Sequence, residues 1–498
     1  MNLREIASLL FVKKIRGDPS VEITGVQMDT RKIKRGDLFI CIPSINGLLA
    51  DRHNFAEEAV RNGAVALVVE RDVDVDVPKL FVKDARYAMA VISAHFYNYP
   101  SRELKLIGLT GTNGKTTTSY VIEKILSSFG HQTGLIGNNG VKVGNELLPT
   151  DINTPEPPTL QMYLRKMRDV DTNYCVMEVS SQGLDMGRVV GCHFRTAVFT
   201  NLTQDHLDYH GNFTRYKEAK GLLFSRIGNG FSPEPNDKKY VILNADDSSS
   251  DYFRKLTTAE VITYGITNQA DVTAKDIKLS SEGISFTLSS IVGEAEISSN
   301  LVGGFNVYNI LAAIAATLVE GVPLAYIKEC LTDIRTVSGR MEKVDVGQNF
   351  TVIIDYAHTP DGLESSLSTI SEFAKERIIT VFGCGGDRDL SKRKVMGQIA
   401  CKNSDYVFVT SDNPRTEDPL TIMKNIEEGM IEHKDTKYEL IVDREEAINK
   451  AIRLAQPNDI VLIAGKGNEK YQIINGIKYP FDDKEKAKEA LISTLSSH

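Results

Sequence analysis

The sequence predicts an α/β protein of three domains: a small N-terminal α/β domain, a central P-loop domain on a parallel sheet, and a C-terminal dinucleotide-fold-like domain. Short apolar strands alternate with helical patterns along most of the chain. A glycine-rich loop at residues 108–118 lies between a strand and a helix. The 498 residues suffice for about three domains. We expect the domains at residues 1–100, 101–336 and 337–498.

The composition is that of an ordinary globular protein, with 42% apolar residues, 25% charged residues and a net charge of −8. We expect no nucleic-acid partner, because no basic stripe offsets the negative charge. The sequence has no apolar run of about 18 residues and no signal-peptide pattern, so no membrane partner is expected. Six scattered cysteines favour reduced thiols. A cytoplasmic monomer is the expectation.

The N-terminal region alternates strands at residues 38–42, 64–69 and 80–82 with a helix at 54–62. Thr30 lies in a polar turn before the first of these strands. Its hydroxyl could contact a polar ligand, although an ordinary turn is the default interpretation.

The glycine-rich loop follows a strand at residues 104–109 and opens a helix whose apolar residues share one face. Backbone N–H groups at such a helix start bind phosphates. Lys115 would reach the β- and γ-phosphates of ATP or GTP, and the Thr116 hydroxyl would bind Mg²⁺. A chance Gly-Lys-Thr is the alternative. The predicted phosphate-binding residues are Gly111, Thr112, Asn113, Gly114, Lys115, Thr116 and Thr117.

Three further side chains of the central region are candidates for metal chemistry. Glu178 ends an apolar strand and needs a partner, for which Mg²⁺ and a lysine are the alternatives. His206 lies among aspartates and could bind a metal or cap a helix. Lys220 lies beside an apolar helix face, where a lysine usually extends to solvent. An antiparallel strand pair is expected at residues 270–300, and Asn306 is expected to cap the helix that follows.

The last third is a regular series of strands and helices, which predicts an open parallel sheet. Strands are expected at 351–354, 378–382, 406–410 and 460–464, and helices near 361–374, 391–402, 419–432 and 443–455. Polar loops follow the strands at 355–358, 385–389, 411–415 and 465–469. Ligands bind outside the carboxyl ends of such strands, so we expect these loops to line one cleft.

Seven motifs in order make the chain resemble the Mur ligases, ATP-dependent amide-forming enzymes of peptidoglycan synthesis. They lie at residues 110–116, 178–181, 201–210, 304–306, 338–342, 355–358 and 385–388. The resemblance implies three domains and a reaction with ATP and Mg²⁺. ATP would phosphorylate the D-glutamate carboxylate of UDP-N-acetylmuramoyl-L-alanyl-D-glutamate, and an amino-acid amine would attack the acyl phosphate.

The resemblance also implies the roles of individual residues. Lys115, Glu178, His206 and Lys220 would be catalytic, and Thr116, Glu178, His206 and a carbamylated Lys220 would serve Mg²⁺. The nucleotide's base and ribose would meet Asn306, Arg340 and Asp355. The nucleotide-sugar substrate would meet Thr30, Asn153, Thr154, Ser180 and Arg188. Met186 stands where related enzymes often carry a glutamine.

The amino acid is implied by Asp412, Asn413, Pro414 and Arg415, a quartet that resembles that of the enzymes adding meso-diaminopimelate. A guanidinium can bind the distal carboxylate of diaminopimelate and repels the ammonium of L-lysine. Arg388, Gly465 and Glu469 match the remaining contacts, while Asn468 replaces the usual histidine. A surface salt bridge is the alternative role for Arg415.

Other functions stay open at this point. The L-lysine-adding ligase of the same step and a folylpolyglutamate-type ligase share the P-loop and metal chemistry. A non-catalytic nucleotide-binding regulator is a hypothesis of another class.

Overall fold

The structure is a computed structural model that describes all residues except 46–48, 151, 230–233, 235–236, 281, 335–336, 434–435 and 496–498. The chain forms two compact units. Unit 1 comprises Met1–Leu109, Gly130–Ala197 and Ser225–Lys239, and unit 2 comprises Thr110–Phe129, Val198–Phe224 and Tyr240–His498. The boundaries of the three predicted domains stay predictions, and the one at residue 336 lies outside the described residues.

The helices in chain order are α1 (Leu3–Ser8), α2 (Ala56–Arg61), α3 (Ala85–Phe96), α4 (Lys115–Ser128), α5 (Pro157–Asp169), α6 (Ser181–Asp185), α7 (Leu207–His210), α8 (Phe213–Arg226), α9 (Ser250–Leu256), α10 (Phe305–Leu318), α11 (Leu324–Asp333), α12 (Pro360–Ser371), α13 (Ser391–Asn403), α14 (Pro419–Glu427), α15 (Arg444–Leu454) and α16 (Asp483–Leu495). No helix of the described part of the chain is long and apolar enough to cross a membrane.

The strands in chain order are β1 (Lys13–Arg16), β2 (Gly25–Gln27), β3 (Asp37–Ile40), β4 (Ala64–Val69), β5 (Lys79–Val82), β6 (Lys105–Thr110), β7 (Thr133–Gly137), β8 (Gly140–Val143), β9 (Glu146–Leu148), β10 (Tyr174–Glu178), β11 (Phe194–Phe199), β12 (Tyr240–Asn244), β13 (Glu260–Gly265), β14 (Val272–Ser280), β15 (Gly283–Ser290), β16 (Gly293–Ser299), β17 (Glu342–Val344), β18 (Thr351–Asp355), β19 (Ile378–Phe382), β20 (Tyr406–Thr410), β21 (Lys437–Ile441), β22 (Ile460–Ala464), β23 (Tyr471–Ile474) and β24 (Ile477–Pro480).

Unit 1 begins with a five-stranded sheet in the order β1-β5-β4-β3-β2, in which only β1 is antiparallel to its neighbour. Helices α1 and α3 pack on one face of this sheet and α2 packs on the other. In the rest of the unit, β10 pairs in parallel with both β6 and β7. Strands β8 and β9 extend from β7 in antiparallel pairing. The parallel strands are buried on both faces, which explains their continuous apolar sequence.

In unit 2, β12, β13 and β14 are parallel, and β14, β15 and β16 form an antiparallel extension. The predicted antiparallel pair is therefore confirmed and has a third strand. The prediction that Asn306 caps a helix is wrong. Gly304 precedes α10, and the buried Asn306 lies inside the helix, where its Nδ2 donates to the Val302 carbonyl oxygen at 2.7 Å.

The C-terminal sheet has the order β17-β18-β22-β19-β20-β21, and β17 alone is antiparallel. Helices α12, α13 and α14 pack on one face, and α15 and α16 pack on the other. The last parallel strand, β22, lies between β18 and β19, so the order reverses at this point. A doubly wound sheet of this kind places its ligand crevice at the reversal. The predicted α/β fold class is confirmed.

The Arg444 guanidinium and the Asp483 carboxylate form an ion pair whose side chains are both fully buried. Nε and Nη2 of Arg444 each donate to a carboxylate oxygen of Asp483 at 2.7 Å, and Nη2 also donates to the Ala464 carbonyl oxygen. The pair joins the starts of α15 and α16 to the end of β22. It therefore fixes the start of the loop at residues 465–469.

Replacing Asp483 with Ala should lower the free energy of unfolding by about 3–5 kcal/mol, because it leaves the Arg444 charge buried without its partner. Glu439 and Lys450 form an exposed pair in the same sheet region, so Lys450→Ala is the control and should cost less than about 1 kcal/mol. Urea denaturation followed by circular dichroism measures both. Equal losses in the two variants would contradict this account of the buried pair.

Candidate active site

The glycine-rich loop joins β6 to α4 and has backbone conformations that require glycine. Gly111 and Gly114 have φ angles of +154° and +84°. A Cβ at Gly111 would clash with Thr200 Oγ1, and one at Gly114 would clash with Asn309 Oδ1. Lys115 begins α4. The N–H groups of the loop and of the first helical turn therefore point out of the N-terminal end of the helix. This arrangement can bind phosphate oxygens.

The loop is held by the residues that follow β11. Asn201 Oδ1 accepts the Asn113 N–H at 2.9 Å, and Asn201 Nδ2 donates to the Asn113 carbonyl oxygen at 3.1 Å. The Thr200 hydroxyl donates to the same carbonyl oxygen at 2.6 Å. Asn201 begins one of the seven motifs, but neither Asn201 nor Thr200 was predicted as a site residue. The signal was the pair of polar residues at the end of a buried strand.

Two lysines donate to one carbonyl oxygen in this loop. Lys115 Nζ lies 2.9 Å and Lys220 Nζ 2.8 Å from the Gly111 oxygen. Lys220 is buried, and its Nζ lies 4.6 Å from the centroid of the Tyr216 ring. Burial, reinforced by the Lys115 charge, lowers the pKa of Lys220 well below its ordinary value. The expectation that Lys220 extends to solvent is therefore wrong.

His206 lies beside Asp205 at the start of α7. Its Nε2 is 3.4 Å from Asp205 Oδ2, and 44% of the side chain is exposed. His206 has a φ of +53°, and its side chain makes no capping hydrogen bond to α7. The helix-capping alternative is thus not observed. The described residues contain no cluster of three or more His, Cys, Asp or Glu side chains placed to hold a metal.

One of the predicted nucleotide contacts in unit 2, Arg340, lies at the start of α4. Arg340 Nη2 is 3.4 Å from Thr116 Oγ1, and the guanidinium carbon lies 4.5 Å from the centroid of the Tyr356 ring. Asp355 accepts the N–H groups of Met341 and Ala357 at 2.8 and 2.9 Å. Burial raises the pKa of Asp355, while Arg340 opposes the increase. Arg340 is thus within reach of a nucleotide on the loop.

Asn306, the third predicted nucleotide contact, belongs to a buried hydrogen-bonded chain. Its Oδ1 accepts from Asn309 Nδ2 at 2.8 Å, and Asn309 Oδ1 accepts from the Thr118 hydroxyl at 3.2 Å. This chain joins α10 to α4. Asn309 was missed because its partner in α4 is 191 positions away.

Unit 1 contains Glu178 and the residues predicted to bind the nucleotide sugar. Glu178 is buried at the end of β10, and its Oε1 accepts the Asn138 N–H at 2.9 Å. The Thr154 hydroxyl contacts the Ser180 hydroxyl at 3.2 Å. Arg188 Nη1 donates to the Thr154 carbonyl oxygen at 3.1 Å. Thr154, Ser180 and Arg188 therefore lie together, and their contact with the nucleotide sugar stays a prediction.

Three other residues of unit 1 bear on the same prediction. Met186 is buried, and its sulfur accepts from Arg188 Nη2 at 3.3 Å, while Arg188 Nε donates to Glu156 Oε1 at 2.8 Å. Asn153 is half-buried. Thr30 is buried in the 3₁₀ turn Thr30–Lys32, and its carbonyl oxygen accepts from Asn62.

The polar loops after β19, β20 and β22 contact one another. Arg415 Nη1 donates to the Gly386 carbonyl oxygen at 2.7 Å, and Asn413 Nδ2 donates to Glu469 Oε2 at 2.9 Å. Burial of Arg415 lowers the pKa of its guanidinium, and the charge of the nearby, exposed Arg388 lowers it further. The alternative of a surface salt bridge for Arg415 is not observed within the described residues.

Asp412 completes this group of loops. Its Oδ2 is buried, has no hydrogen-bond partner among the residues that the structure describes, and faces Gly465, which has a φ of +119°. Burial favours a higher pKa for Asp412, but Lys466 and Arg444 outweigh burial and lower the pKa below its ordinary value. Pro414 is also buried. The loops thus bring acidic and basic groups to one edge of the sheet.

Two family models match most of the chain. The Mur ligase middle domain matches residues 109–317, and the Mur ligase glutamate ligase domain matches residues 339–467. The chain belongs to the Mur ligase family. The curated relatives of this Mur ligase include UDP-N-acetylmuramoyl-L-alanyl-D-glutamate–2,6-diaminopimelate ligases from Bacillus cereus, 46% identical over all of both chains, and Geobacillus kaustophilus. The latter is 48% identical and covers 95% of this chain and 96% of the relative.

Solved structures of Mur ligases share the fold. A UDP-N-acetylmuramoyl-L-alanyl-D-glutamate–2,6-diaminopimelate ligase has 33% identity and a TM-score of 0.68, covering 100% of this chain and 99% of the other. A MurF ligase from Thermotoga maritima, solved in complex with ADP, has 18% identity and a TM-score of 0.63. It covers 95% of this chain and 98% of the other.

Gly114→Ala should weaken ATP binding by about tenfold or more, because its Cβ would displace Asn309 and distort the phosphate-binding loop. Gly130→Ala is the matched control. Gly130 has a similar positive φ of +98° but nothing within 4 Å of an added Cβ. Isothermal titration calorimetry with ATP compares the variants. If Gly114→Ala and Gly130→Ala lost ATP affinity to a similar extent, backbone strain and not the displacement of Asn309 would explain the loss.

Proposed function

We propose that the protein is an ATP-dependent ligase that joins meso-2,6-diaminopimelate to the D-glutamate of UDP-N-acetylmuramoyl-L-alanyl-D-glutamate. The observation that carries the proposal is 46% identity over the whole chain to a ligase with that name. The product is a peptidoglycan precursor. Since ATP and nucleotide sugars are cytoplasmic metabolites, we place the reaction in the cytoplasm.

We infer that ATP binds at the glycine-rich loop, with its phosphates on the N–H groups of residues 111–117 and on Lys115. The ammonium of Lys115 would exchange the carbonyl oxygens of Gly111 and Thr112 for phosphate oxygens. Asn306, Arg340 and Asp355 would hold the base and ribose. The position of Arg340 within 3.4 Å of Thr116 supports this assignment.

The residues proposed to hold Mg²⁺ are Thr116, Glu178, His206 and Lys220. Three of these residues would supply the hydroxyl and carboxylate-like oxygens that Mg²⁺ prefers, namely Thr116, Glu178 and a carbamate on Lys220. A buried ammonium beside that of Lys115 is costly, and carbamylation replaces it with an anion. When bound, Mg²⁺ would neutralise charge on the phosphates.

The chemistry begins at the D-glutamate carboxylate of the nucleotide sugar. We propose that Thr30, Asn153, Thr154, Ser180 and Arg188 hold this substrate. The carboxylate would attack the γ-phosphorus of ATP and release ADP, while Lys115 stabilises the negative charge of the transferred group. The amine of the amino acid would then attack the acyl phosphate and expel phosphate as the amide forms.

The distal end of diaminopimelate carries both a carboxylate and an ammonium. We propose that Arg415 and Arg388 bind the carboxylate and that Glu469 binds the ammonium, with Asp412, Asn413, Pro414 and Gly465 shaping the pocket. The Arg415 guanidinium is held by the Gly386 carbonyl oxygen. It is therefore oriented before the amino acid binds.

The wild-type protein should release ADP only when the nucleotide sugar and an amino acid are both present, and meso-diaminopimelate should be strongly preferred to L-lysine. Arg415→Ala should lower kcat/KM for diaminopimelate by about 100-fold, since it removes a charged hydrogen-bonding partner of the distal carboxylate. A coupled ADP assay measures this. Preference for L-lysine would favour the lysine-adding ligase, and no release would favour the non-catalytic regulator.

Lys220→Ala should lower kcat by about 100-fold or more, because the carbamate oxygens are lost from the Mg²⁺ site. Added acetate or formate should restore part of the activity by supplying a carboxylate. Lys217→Ala, one turn earlier in α8, is the control and should keep kcat close to that of the wild type. A Lys220→Ala enzyme that shows no dependence on added carboxylate would argue against carbamylation.

A further inference from the structure

The loops that would bind the amino acid are joined by a buried lysine to which no role has been assigned so far. Lys466 lies in the loop after β22 and has no exposed side-chain area. Its Nζ donates to Asn413 Oδ1 at 3.1 Å and to Glu469 Oε2 at 3.0 Å. Such a charge would be costly to bury without these partners. Lys466 is thus fixed between two predicted substrate contacts.

Asn413 has little hydrogen-bonding capacity left for a ligand. Its Oδ1 accepts from both Lys466 Nζ and the Ile473 N–H, and its Nδ2 donates to Glu469 Oε2. The residue is also buried. The structure therefore makes Asn413 a bridge between the loop after β20 and the loop after β22.

The two partners of Glu469 converge on one of its carboxylate oxygens. Lys466 and Asn413 both donate to Oε2, at 3.0 and 2.9 Å, while Oε1 makes no hydrogen bond within the described residues. The Glu469 side chain is 22% exposed. One oxygen is thus anchored inside the protein, and the other is available to a ligand.

We propose that Lys466 is a specificity-determining positioning residue that acts through Glu469. It holds one carboxylate oxygen, so that the other is directed at the distal ammonium of the amino acid. Its charge also offsets that of Glu469. This inference rests on the proposed function, since it assigns the contacts of the amino acid in that reaction.

The charge of Lys466 discriminates between the two candidate amino acids. The distal end of meso-diaminopimelate has a carboxylate and an ammonium and is neutral overall, whereas the distal end of L-lysine is a single ammonium. A pocket in which Lys466 offsets Glu469 attracts a lone ammonium weakly. Without Lys466 the pocket is more negative by one charge, and Oε2 of Glu469 keeps only the Asn413 amide as its donor.

The test compares kcat/KM for meso-diaminopimelate and for L-lysine in wild type, Lys466→Gln and Lys470→Gln. In Lys466→Gln the ratio should fall about tenfold or more, mainly through a higher KM for diaminopimelate. The KM values for ATP and the nucleotide sugar should stay within about twofold. Lys470 is exposed and lies one residue after Glu469, so the control should keep the wild-type ratio.

A second pair of variants separates this role from a general loss of structure. If Lys466 acts through Glu469, Lys466→Gln/Glu469→Gln should have the same ratio as Glu469→Gln alone. The double variant also removes the Glu469 charge that Lys466 offsets, so it serves if the single variant does not fold. An unchanged ratio in folded Lys466→Gln overturns the proposal. So does a further fall of similar size in the double variant.

The proposed function and this inference fail in different ways. A wild-type enzyme that uses neither amino acid would refute the proposed function. A wild-type enzyme that prefers diaminopimelate, with Lys466→Gln retaining that preference, would refute only the role of Lys466.

Discussion

Two lysine ammonium groups donate to the carbonyl oxygen of Gly111, and this convergence of charge constrains the whole candidate site. Each nitrogen lies within 2.9 Å of the oxygen, so the two charges are at most about 6 Å apart. Two cations at that separation would repel by about 3 kcal/mol at an effective dielectric constant of about 20, and this repulsion adds to burial in lowering the pKa of Lys220. Anions relieve the repulsion. A triphosphate beside Lys115 and a carbamate on Lys220 would both do so.

The glycine-rich loop can hold this arrangement because distant segments fix its backbone. Asn201 binds both the N–H and the carbonyl group of Asn113, and Asn309 occupies the space beside Gly114. These contacts fill the volume that a Cβ would need. The neighbouring side chains therefore require glycine at residues 111 and 114.

The sequence predicted several of the buried parallel strands, because such strands are continuous apolar runs bounded by polar loops. It did not predict the parallel strands β7, β12 and β13. The bounds of β4, β19, β20 and β22 agree with prediction. Strand β21 and the β23–β24 hairpin were missed, since much of their surface is exposed and their sequences lack a clear apolar pattern. Asn306 was misplaced because an asparagine near a helix start is typical of a cap, whereas here its side chain is hydrogen-bonded to the Val302 carbonyl oxygen and to the Asn309 amide.

The candidate site was predicted in part for the same physical reason. Residues within one motif, such as Lys115 and Thr116, are recognisable because the loop and helix fix their spacing. Asn309 and Lys466 depend on contacts between segments far apart in sequence. Such contacts cannot be predicted from the spacing of residues within one motif. Only the folded chain shows that Lys466 connects Asn413 to Glu469.

The Arg415 backbone shows how the missed hairpin bears on specificity. Arg415 has a φ of +55°, a conformation that costs about 1 kcal/mol or more for a residue with a side chain. The hairpin stabilises it: the Arg415 N–H donates to Ile473 at 3.0 Å, and the Asn475 N–H donates to Arg415 at 2.6 Å. A two-stranded hairpin is marginally stable alone, so loop and hairpin stabilise each other. The Asp-Asn-Pro-Arg quartet thus supplies the guanidinium, and the hairpin sets the direction in which it points.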